Sequence, residues 1–139
     1  MDSIIVSMYI KKGILSILIL KDGRIEIKEV EKIKDGTILG SMYLSLIYGF
    51  CNALRMTRNY LENNVDCSRV VFEVNNSTFV KWINNGYSKE DYQNDFSALL
   101  NTLEEIPMQY NIIVQSNPKA MVYADEKYLS NKLKMGGLF

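Results

Sequence analysis

The chain has 139 residues, of which 47% are hydrophobic and 23% charged, the balance of one globular domain with one core. Lysine plus arginine equals aspartate plus glutamate, 16 against 16, so any nucleic-acid contact has to come from a local patch rather than from net charge. Histidine is absent, which excludes a His general base, a Ser-His-Asp triad and His-ligated zinc.

No apolar run is long enough to span a bilayer, and the start Met1-Asp2-Ser3 lacks the basic region of a secretory signal. Cys51 falls in an apolar helical stretch and Cys67 in a connection. Two such cysteines predict no disulfide framework and a reducing, cytoplasmic setting. Abundant Ile, Asn, Lys and Tyr point to an AT-rich genome, such as that of a phage or a low-GC bacterium; for a phage protein, the cytoplasm would be that of the bacterial host.

Residues 3–10 are apolar and β-branched and read as a strand. Lys11-Lys12-Gly13 is a turn, and residues 14–20 form a second strand. Asp22-Gly23 is a hairpin signal, because a type I′ turn needs two residues that tolerate positive φ. Residues 24–30 alternate for most of their length and predict a half-exposed strand near a sheet edge. The period then changes: Met42, Leu46, Phe50, Ala53, Thr57 and Leu61 recur at helical spacing, predicting a helix over 37–61. Gly49 inside that helix costs about 1 kcal/mol against alanine, and a close approach to the sheet would explain it.

Residues 69–74 read as a buried strand, and Asn75-Asn76-Ser77 supplies helix caps. A short helix over 79–84 stops at Asn85-Gly86. Ser88 can cap a helix over 89–106, with Asp91 in its first turn, and Pro107 ends it. Residues 110–114 form a fifth strand, and Pro118 opens a last helix to about residue 134. The order is βββαβααβα, with right-handed crossovers placing helices against a mixed sheet. The domain covers 1–134, and 135–139 is a flexible tail.

This order resembles that of the ribonuclease H family. Val70-Val71-Phe72-Glu73-Val74-Asn75-Asn76-Ser77 resembles the family's fourth strand, which ends in an Asp-Ser pair before a helix. Tyr123-Ala124-Asp125-Glu126-Lys127-Tyr128-Leu129 resembles its final helix. The resemblance implies an α/β, five-stranded mixed sheet flanked by helices. In the family, such domains cleave the RNA of an RNA–DNA hybrid with about four carboxylates holding two divalent metals.

Carried onto this chain, the first-strand aspartate is expected within Ser7-Met8-Tyr9, and the first-helix glutamate near Tyr43. The fourth-strand aspartate falls on Asn75 and the last-helix aspartate on Asp125. Only Asp125 is acidic, and the family's mobile histidine is missing. Glu73 lies two residues before Asn75, on the same strand face, and is the candidate replacement. One carboxylate and one amide cannot neutralise two divalent ions, so no cofactor is expected beyond a weak magnesium or manganese site at Asp125.

Each of these residues also has a plainer role. Asp125 suits a helix N-terminus, and Asn75 and Asn76 suit a cap and turn. Tyr9 and Tyr43 would meet at the relic site, stacking a base or filling the space; Trp82 would pack in the core. Lys11, Lys12, Arg55 and Arg58 offer phosphate contacts or a solvated face. The tail ends in Leu138-Phe139, similar to the C-terminal peptides that dock into a sliding clamp, although the leading glutamine is missing. Alternatively the tail folds back over the sheet.

The leading reading is a non-catalytic adaptor that binds a protein partner in nucleic-acid metabolism: a polymerase, a clamp or another replication or transcription component. The alternatives are a direct nucleic-acid binder and a metal nuclease built on Glu73 and Asp125. A fourth is a self-associating structural or virion component that pairs through the third strand.

Overall fold

The structure, a computed structural model, describes residues 2–63, 67–115 and 119–124. Three strands open the chain: β1 (Asp2–Lys11), β2 (Ile14–Lys21) and β3 (Arg24–Lys32). Both hairpins turn on two positive-φ residues. These are Lys12 at 51° with Gly13 at 79°, and Asp22 at 52° with Gly23 at 77°, the type I′ geometry that matches strand twist. Asp-Gly announced the second turn; Lys-Gly uses the same conformation with a residue that resists it.

The helix predicted over 37–61 is two helices, α1 (Gly36–Leu39) and α2 (Met42–Asn63). Each segment carries its own N-terminal acceptor. The Asp35 carboxylate accepts from the N–H groups of Thr37 and Ile38, and Ser41 Oγ accepts from Leu44 N. Two such caps favour a break at Gly40-Ser41 over a continuous helix. Next come β4 (Cys67–Val74) and α3 (Ser77–Asn85). Cys67, expected in a connection, is the buried first residue of β4. Asn76 Oδ1 caps α3 by accepting from Phe79 N at 2.8 Å, and Gly86 at φ 77° ends it.

The helix predicted over 89–106 begins later, as α4 (Gln93–Glu104) behind a single 3-10 turn at Glu90–Tyr92. Ser88 does not cap it; its hydroxyl donates to Lys89 O. The tight turn brings the Tyr92 ring to Tyr43 and Trp82. β5 (Gln109–Val114) and α5 (Lys119–Tyr123) complete the described chain. The rest of the last helix and the 135–139 tail lie outside the described residues. No described helix is long and apolar enough to cross a membrane.

The sheet order is β3-β2-β1-β4-β5. The first three strands are antiparallel neighbours, and β1–β4 and β4–β5 are parallel. β3 is an edge, as its alternation predicted. Strand alternation divides the two faces. Ile4, Val6 and Met8 of β1 join Phe72 of β4 and Phe50, Phe79 and Phe96 of the helices in the main core. On the opposite face, Leu18 and Leu20 pack with Ile5, Tyr9, Ala120 and Tyr123. Gly49 lets α2 approach closely: a Cβ there would lie 2.8 Å from Leu15 Cδ1 and 3.0 Å from both Ile10 Cδ1 and Met8 Sδ.

Candidate functional site at the junction of β1 and β4

The parallel strands β1 and β4 end side by side, and their connections then diverge to β2 and β5 on opposite sides. Such a divergence opens the crevice where α/β sheets place ligand sites. The register pairs Ser7 with Glu73 and Met8 with Val74. By alternation, Ser7 and Glu73 point to the α5 face, away from the main core.

Both are deeply buried, Ser7 at 0% exposure and Glu73 at 4%. Gln115, just beyond β5, reaches back to β1 and β4. Its Nε2 donates to Ser7 Oγ at 2.5 Å and to Met8 O at 3.4 Å, and its backbone N–H donates to Val74 O. Burial pushes the Glu73 carboxyl above the usual carboxylate range, and a hydrogen bond with the Ser7 side chain pulls it partly back. Glu73 Oε1 has no partner among the described residues. Burial thus makes ionising this carboxyl costlier than in water.

Asn75 does not share that face. It lies just past the end of β4 and uses both ends of its amide on one residue of β1. Oδ1 accepts from Ile10 N at 3.1 Å, and Nδ2 donates to Ile10 O at 3.0 Å. The amide acts as one more rung of the β1–β4 ladder. A carboxylate could take the N–H but could not donate to the carbonyl. Of the two asparagines expected as caps, only Asn76 is one.

Tyr9 and Tyr43 do not meet. Tyr9 shares the face of Ser7 and packs in the smaller cluster. Tyr43 rises from α2 on the other face, stacked on Trp82 at 4.4 Å between ring centroids and tilted against Tyr92 at 5.7 Å. Trp82 packs in the core, as its amphipathic helix predicted. The four basic candidates fall into two pairs on different elements. Lys11 and Lys12 are exposed at the β1–β2 turn. On α2, Arg55 donates to Asn52, which donates to Glu31, while Arg58 is ion-paired with Glu105 at 2.6 Å. Asp125, Leu138 and Phe139 lie outside the described residues.

Solved structures share this architecture. LC11-RNase H1, isolated from compost by a metagenomic approach, superposes with a TM-score of 0.66 over 96% of this chain and 99% of that one, at 12% identity. The fold is ribonuclease H-like. A second LC11-RNase H1 structure, in complex with RNA/DNA hybrid, superposes at 0.65 over 88% and 91% of the two chains, also at 12% identity. RNase H1 from the halophilic archaeon Halobacterium salinarum gives 0.59 over 91% and 98%, at 12% identity. No protein-family profile matches the sequence, and no curated protein matches it.

The resemblance to the ribonuclease H family implies a pair of divalent metals at this junction, and the described residues, which do not include Asp125, do not by themselves fit them. Hard cations need clustered anionic oxygens. Among the described residues, the junction offers one buried carboxyl, one hydroxyl and an asparagine amide already engaged with Ile10. Among the described residues, no group of three or more acidic or cysteine side chains could hold a metal. Gln115 is the site residue that the sequence hid. A lone glutamine after a strand carries no signal, and its contact with Ser7 spans 108 positions.

Proposed function

We propose that this chain is a ribonuclease H-like module that has lost metal-dependent cleavage and serves nucleic-acid metabolism by binding a protein partner, such as a polymerase, a sliding clamp or another replication or transcription component. The observation that carries this reading is the β1–β4 junction. Ser7 and a buried Glu73 are the side chains that β1 and β4 bring together here, and the Asn75 amide is engaged with Ile10 of β1. The test is incubation with an RNA–DNA hybrid in magnesium and in manganese. No cleavage above background is expected. Metal-dependent cleavage that disappears in Glu73→Gln would replace this reading with that of an atypical nuclease.

Direct nucleic-acid binding is a second reading, favoured by the LC11-RNase H1 complex with RNA/DNA hybrid. Fluorescence anisotropy against single-stranded DNA, duplex DNA, duplex RNA and hybrid, at two salt concentrations, separates the two. Salt-sensitive binding that prefers the hybrid would put nucleic acid first. Silence with all four supports the protein partner.

A further inference from the structure

The two edges of the sheet resist strand pairing by different means. An edge strand is a template for another chain unless charge, proline or a covering group blunts it. Charged residues run along β3: Arg24, Glu26, Lys28, Glu29, Glu31 and Lys32. The β5 edge has no such protection in its own sequence. Gln109-Tyr110-Asn111-Ile112-Ile113-Val114-Gln115 contains no charged residue and no proline. It is rich in β-branched and aromatic side chains, the composition that pairs edge to edge most readily. Ile113 and Val114 are 40% and 47% exposed, and alternation sends them to opposite faces of the sheet.

Amide side chains supply the protection instead. Gln115 N donates to Val74 O, so Asn111 and Ile113, of the same parity, bond inward to β4. Tyr110, Ile112 and Val114 therefore turn their backbone groups outward, and the first two of those carbonyls are covered. From α3, Asn84 Nδ2 donates to Ile112 O at 3.1 Å. The Asn111 amide, turned so that both its ends are satisfied, donates to Tyr110 O at 2.9 Å and accepts from Arg69 Nη2 at 2.5 Å. Asn84 belongs to α3 and Arg69 to β4, so the cover is assembled by the fold and is not a property of β5 alone.

We propose that Asn84 and Asn111 guard the β5 edge against pairing with β5 of a second copy of this chain. A strand added antiparallel to β5 has to bring N–H donors to Tyr110 O and Ile112 O, and the two amides stand on that approach. Two identical strands related by a two-fold axis present the same carbonyls to each other, so each copy's guard opposes the pairing twice. The guard does not rest on the chemistry of the β1–β4 junction and stands whether or not the chain cleaves nucleic acid.

The test compares the full chain with the double variant Asn84→Ala, Asn111→Ala. Alanine favours a helix at position 84 and disfavours a strand at position 111, so neither change adds strand propensity. Light scattering across a concentration series gives the mass, and circular dichroism checks the fold. The wild type is expected to remain monomeric and the double variant to self-associate at least about tenfold more tightly. Adding Ile113→Lys, at an exposed position of the edge, should return the double variant to a monomer, and the exposed Asn85→Ala should behave as wild type. Should the double variant lose its fold, Asn84→Ala alone carries the same expectation. A double variant no more associated than wild type, association that Ile113→Lys leaves intact, or a wild-type dimer that Ile113→Lys abolishes would each overturn the proposal.

Discussion

Replacing Glu73 by glutamine should stabilise the protein at neutral and alkaline pH and leave it nearly unchanged in acid. Glu73 is 4% exposed, and one carboxyl oxygen has no donor. A buried acceptor left without a partner costs about 1–3 kcal/mol, and a buried charge costs more. Glutamine keeps the shape and removes the charge. A gain of about 1–2 kcal/mol is expected where the wild-type carboxyl ionises, or about 3–5 °C in Tm per kcal/mol for a chain of this size. The direction with pH follows from the raised folded-state value. Between the ordinary glutamate value of 4.5 and that raised value, the folded chain holds a proton that the unfolded chain has released. Wild-type stability is therefore greatest below the ordinary value and falls as pH climbs to the raised one. Urea midpoints for both proteins, from about pH 4 to pH 8, should diverge as pH rises. A constant offset, or a variant less stable than wild type at the alkaline end, would show that the carboxylate is held by a favourable partner and refute the upward shift.

Two further substitutions probe the packing around the junction. Gly49→Val adds three carbons where a single Cβ would already lie within 3.0 Å of Leu15, Ile10 and Met8; a loss of about 1–3 kcal/mol is expected in thermal melts, and an unchanged melt would mean that α2 can move off the sheet. Asn75→Asp introduces the acid that the family resemblance would place at this position, yet it sets an oxygen against Ile10 O, 3.0 Å from the present donor. It should cost about 1–3 kcal/mol and confer no cleavage of RNA–DNA hybrid, and a stable, cleaving variant would contradict the role of Asn75 as a staple.

The fold was legible because local signals agreed with it. Alternation in β3, Asp22-Gly23, and the helical spacing from Met42 to Leu61 each report a periodicity or backbone constraint contained within a few residues. Gly49 was readable for the same reason: a costly residue in a helix interior requires a neighbour that excludes a side chain. The break at Gly40-Ser41 was lost because apolar periodicity continues across it, and only paired caps reveal two helices. The site was harder. Tyr9 and Tyr43 were assigned to one place by sequence position, but strand parity sends Tyr9 to one face while α2 lies on the other. Ser7, Glu73 and Gln115 come from three segments and become a cluster only through the β1–β4 and β4–β5 registers.

The division of labour along β1 separates the packing of the main core from the β1–β4 junction. Ile4, Val6 and Met8 supply the main core, each at 1% exposure or less, and removing any of them would open a cavity beneath α2 and its neighbours. Ser7 and Tyr9 point the other way, towards the smaller α5 layer, so an acid can be exchanged there without disturbing the helices. Asn75 takes this further. As an aspartate it could serve a metal but could not donate to Ile10 O; as an asparagine it joins β1 to β4 with two hydrogen bonds. The Glu73 carboxyl is buried, and its Oε1 lacks a donor among the described residues.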